Sequence, residues 1–75
     1  MNGLRGLRPM DSGLSRAVER ALDAAGVSVH DRPDVVVAVR VGPEWQTIIE
    51  QYRLGASDRA LAGLLERAIG LARRS

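Results

Sequence analysis

A chain of 75 residues without cysteine has room for one domain and excludes a disulfide framework and a thiolate metal site. Its positive charge is carried by arginine alone, and four of the eleven arginines (Arg5, Arg8, Arg73 and Arg74) stand in the terminal stretches. Between Met10 and Ala72, seven arginines face nine Asp and Glu, a net charge of −2, so the body is not a basic patch.

A chain this short buries only about 60% of its unfolded surface, which leaves a marginal core when it stands alone. That core is aliphatic, because Trp45 and Tyr52 are the only aromatic residues. Association with a partner is therefore the expected source of further stability, with a homodimer as the default. No apolar run reaches the ~20 residues of a membrane helix, and residues 1–10 lack the apolar block of a signal peptide. A cytoplasmic protein is the expectation.

In chain order, residues 1–10 read as a flexible arm broken by Gly3, Gly6 and Pro9, and residues 11–75 as the single small domain. Asp11 or Ser12 can cap a first helix, whose Leu14, Ala17, Val18, Ala21, Leu22 and Ala25 form one stripe. Gly26 ends it. Val27 to His30 has the look of a short strand, and Asp31 to Asp34 of a solvated turn in which Pro33 holds Arg32 extended. The next eight residues, Asp34 to Val41, read as the main strand. Val35, Val37, Val39 and Val41 make one wholly apolar face, while Val36, Ala38 and Arg40 lie on the other. Gly42-Pro43 then starts a helix striped by Trp45, Ile48, Ile49 and Tyr52. Gly55 stops it, and Ser57 caps a last helix that buries Leu61, Leu64, Leu65, Ala68 and Ala72. Ile69 and Leu71 widen that helix's apolar face toward a second neighbour. The expected fold is α+β in the order α-β-α-α, dimeric through the strand, because a lone strand leaves its edge hydrogen bonds unpaired.

No residue set supports catalysis or a cofactor. His30, Asp31 and Asp34 are the only cluster with catalytic residue types, and no second His or Cys completes a metal site with them. Phosphate loops, dinucleotide fingerprints and nucleophile elbows are missing. The candidates are binding residues. Val35, Val36, Val37, Ala38, Val39 and Val41 form an interaction strand, and Trp45 with Tyr52 form an aromatic pair for a partner face or the core. Arg5, Arg8, Arg40, Arg73 and Arg74 are candidate nucleic-acid contacts. Arg73 and Arg74 also suit the negative end of the last helix.

The tract from Val39-Arg-Val-Gly-Pro-Glu-Trp-Gln-Thr-Ile-Ile-Glu50 through Leu64-Leu-Glu-Arg-Ala-Ile69 resembles the strand and two helices of ribbon-helix-helix proteins, the Arc, CopG and ParD antitoxin type. The resemblance implies a dimer whose paired strands enter the major groove of double-stranded DNA, with Val36, Ala38 and Arg40 outward. Of these only Arg40 can hydrogen-bond a base edge. With a body that is not basic, the leading expectation is a non-enzymatic dimeric module that docks a protein partner through its apolar strand and helix faces. The alternative is a DNA-binding regulator or antitoxin of that family.

Overall fold

The computed structural model describes residues 10–74, which form four α-helices and one 3-10 turn, with no strand among the described residues. Helix α1 spans Ser12–Ala24. Its cap is Asp11, whose side chain accepts a hydrogen bond from the Gly13 amide at 3.1 Å. Leu14, Val18, Ala21 and Leu22 form its buried stripe. Gly26, at φ 70°, supplies the left-handed stop expected of it.

The segment after α1 departs from the expected α+β order. Val27 is buried, Ser28 caps a single 3-10 turn over Val29–Asp31, and Val29 is exposed to solvent, so no short strand or hairpin forms here. Helix α2 then occupies Arg32–Val41, where the main strand was expected. Three features favour the helix. Pro33 sits in its first turn, Asp34 there faces the positive end of the helix dipole, and Arg40 lies in its last turn. A helix also pairs its own backbone groups, whereas a single strand would leave them unsatisfied. The five valines of α2 each carry up to ~0.7 kcal/mol of helix penalty relative to alanine, which packing offsets. Val39 is buried, and Val35 and Val36 pack against the core, so the buried face follows a helical i, i+1, i+4 spacing rather than strand alternation.

Helix α3 spans Glu44–Arg53, with Pro43 as its N-cap residue, and buries Trp45 and Ile48. After Leu54 and Gly55 (φ 83°), Ser57 caps α4, its hydroxyl oxygen accepting from the Ala60 amide at 3.2 Å. Helix α4, Asp58–Arg74, is the hub of the fold and packs against α1, α2 and α3. It buries Leu61, Leu65, Ala68 and Ile69, with Leu64 and Ala72 half-buried. The widened face read from its sequence is therefore real on the Ile69 side. Leu71 instead stays 45% exposed.

Arg32 locks the junction between α1 and α2. Its Nε donates to the Val27 carbonyl at 3.1 Å, its Nη1 to Glu19 at 3.1 Å and its Nη2 to Asp23 at 2.6 Å. These three contacts hold Arg32 at φ −57°, ψ −43°, helical geometry that the residue before a proline ordinarily avoids. The Asp23 hydrogen bond, aided by Glu19, outweighs the partial desolvation of the guanidinium and raises its pKa.

Candidate binding surfaces

Two surfaces gather the residues singled out from the sequence. The first is a cleft of about 290 Å³ where the start of α1, the end of α2 and the length of α3 meet. Leu14, Trp45 and Ile49 line its apolar part, and Arg40, Tyr52 and Arg53 supply polar atoms. The Arg40 guanidinium lies over the Trp45 ring, 5.7 Å from its centroid, within cation–π range. Trp45 itself is only 7% exposed. The aromatic stripe of α3 thus belongs to the core along most of its length, and the cleft opens onto its edge.

Tyr52 anchors the other wall. Its hydroxyl donates to the Asp11 carboxylate at 2.7 Å. That bond, with a second from the Gly13 amide, holds the Asp11 carboxyl below its ordinary pKa. The same bond, reinforced by desolvation and by the charge on Asp11, pushes the Tyr52 phenol up. Tyr52 also lines a second cavity of about 220 Å³ between α1 and α4, bordered by Arg16, Arg20 and Asp58. Arg20 and Asp58 approach to 3.5 Å there, but with side chains 72% and 87% exposed the pair adds little stability.

The second surface is an apolar groove of about 310 Å³ between the C-terminal halves of α2 and α4. Ala38, Val39, Ala68 and Ala72 form its walls, and Val41 and Leu71 stand at its edge, 67% and 45% exposed. Glu44 is the one charged residue that lines it.

The candidate interaction strand is thereby split. As part of α2 its residues turn to different sides, with Val39 buried, Val35 and Val36 against the core, Val37 and Ala38 half-buried, and Val41 exposed. No edge remains for strand pairing, and the ribbon that would carry Arg40 into a DNA groove has no strand to build it among the described residues. Arg40 and Trp45, with Tyr52, are brought together in the cleft. Arg73 is drawn elsewhere: its Nη1 donates to the Ala25 carbonyl at 3.0 Å, so it stabilises the C-terminal end of α1 rather than only its own helix. Arg74 is exposed, and Arg5 and Arg8 lie outside the described residues.

Arg53 is the charged cleft residue that the sequence did not single out. The only cue was its place four residues after Ile49 on the same helix. Among the described residues no group of His, Asp or Glu could hold a metal ion, and no helix is long and apolar enough to cross a membrane. Compared with known proteins, the chain matches no family model, no curated protein and no solved structure.

Proposed function

We propose that this chain is a small non-enzymatic binding module that docks protein through its helix faces and works as a homodimer closed over the α2–α4 groove. The observation that carries the reading is the exposure of Val41 and Leu71, which line one groove with Ala38, Ala68 and Ala72. Covering Val41 and Leu71 contributes roughly 1 to 2 kcal/mol apiece, and twofold symmetry counts each contact twice. For a chain near the lower size limit of a self-sufficient core, that gain is large. Charge supports the same pairing, since Glu44 lines the groove and Arg74 stands exposed two residues beyond Ala72. A partner copy can therefore place arginine against glutamate in both directions.

Sedimentation equilibrium tests this reading. A concentration-dependent dimer is expected for the native chain, and a monomer with unchanged helical circular dichroism for Val41→Asp and for Leu71→Asp. A native chain that stays monomeric at high concentration, or variants that dimerise equally well, would overturn it.

A further inference from the structure

The cleft lined by Arg40 and Trp45 shares no lining residue with the dimer groove and has its own chemistry. The geometry points to a site for an acidic peptide segment of a partner protein, one that carries a large apolar side chain beside an Asp or Glu. The apolar side chain enters against Leu14 and Ile49, and the carboxylate reaches Arg40 and Arg53. Charge complementarity selects this occupant. Two guanidinium groups line the cleft, and its one carboxylate, Asp11, already accepts hydrogen bonds from Tyr52 and from the Gly13 amide. Two arginines against one carboxylate leave the cleft net positive, which favours an incoming carboxylate.

Other occupants fit less well. A stacked base needs an open aromatic face, but Trp45 is 7% exposed and Arg40 covers its ring. The volume of about 290 Å³ lies at the bottom of the range for whole cofactors and suits one or two side chains. Residues 1–9, which join the chain at the cleft-lining Met10, carry Arg5 and Arg8 and no acid. A segment with two arginines and no acid offers Arg40 and Arg53 no carboxylate.

Trp45 is the chain's only tryptophan and lines this cleft, so its fluorescence can follow occupation of the site. The experiment selects random displayed peptides on the full chain and titrates the winners while following Trp45 emission. Peptides pairing Asp or Glu with a large apolar residue are expected to dominate and to shift the emission. Arg40→Gln and Arg53→Gln are each expected to weaken binding about tenfold, the loss typical of one charge-assisted hydrogen bond. Arg53→Gln leaves the cation–π contact intact, so it remains a fair test if Arg40→Gln fails to fold. Recovery of no peptide, winners without an acidic residue, unchanged affinity in Arg53→Gln, or duplex DNA that shifts Trp45 while the peptides do not would each overturn the assignment. Leu71→Asp, which disrupts the dimer groove from α4 and does not line the cleft, is expected to leave peptide affinity unchanged.

Discussion

Tyr52 and Asp11, 41 residues apart in sequence, are joined by a 2.7 Å hydrogen bond that ties the last turn of α3 to the N-cap of α1. One carboxylate therefore caps a helix and receives a tertiary contact at once. The bond passes where Gly13 has no side chain, because a Cβ at Gly13 would collide with the Tyr52 hydroxyl.

This pair makes stability depend on pH at both extremes. The folded pKa of Asp11 lies below its ordinary 3.8, so its contribution is present above 3.8 and is lost as pH falls through the lowered value. The folded pKa of Tyr52 lies above its ordinary 10.0, so its contribution is full below 10.0 and is lost as pH rises through the raised value. Tyr52→Phe should therefore melt below the native chain at neutral pH, with the gap closing at both extremes. Thermal melts followed by circular dichroism across pH check this, and a gap independent of pH would refute it.

Glycine substitutions should divide by position. Gly63 and Gly70 are within α4, and a Cβ at either meets nothing within 4 Å. Alanine at each is expected to stabilise by about 0.5 to 1 kcal/mol. Gly26→Ala, at φ 70°, is expected to cost about 1 to 2 kcal/mol. Gly13→Ala should break the Tyr52–Asp11 bond and remove the pH dependence that rests on Tyr52, leaving the share that the residue-13 amide gives Asp11. Urea denaturation of the four variants measures the signs.

The hub role of α4 predicts where truncation does most damage. Leu65 is fully buried at the centre of the core, and Leu65→Ala is expected to cost about 2 to 5 kcal/mol. Leu54→Ala removes a side chain that is 80% exposed and should leave stability nearly unchanged. Chemical denaturation distinguishes the two directly.

Two ion-paired arginines should behave differently. The Arg32 side chain is 18% exposed and joins a carbonyl and two carboxylates, whereas that of Arg20 is 72% exposed and meets one distant oxygen. Arg32→Ala is expected to lower the melting temperature clearly and Arg20→Ala scarcely at all. Added salt should narrow the Arg32 gap in part, by screening the exposed Glu19 and Asp23, while the hydrogen bond to the Val27 carbonyl keeps the rest.

Three of the four helices were legible from residue spacing and caps. Leu14, Val18 and Leu22 marked α1, Trp45 and Ile48 marked α3, and Leu61, Leu65 and Ala68 marked α4, while Gly26, Gly55 and Ser57 set boundaries that the structure keeps. Helix α2 was not legible, for a physical reason. Val35 to Val39 is a run without a polar residue, so helical and strand periods fit it equally, and β-branched composition then favours the strand. Long-range contacts decided the matter: Arg32 fastens the start of α2 to α1, and α4 supplies the surface for Val39. The cleft was half legible. Arg40, Trp45 and Tyr52 were singled out separately, but their meeting depends on α2 being a helix.

The central claim, a dimer closed over the α2–α4 groove, is tested most directly by isotope-filtered nuclear Overhauser spectroscopy on a mixture of labelled and unlabelled chains. Intermolecular cross-peaks from the methyl groups of Val41 and Leu71 are expected, because these are the exposed apolar side chains at the groove. Cross-peaks confined to other residues, or none in a sample of monomeric mass, would contradict the dimer.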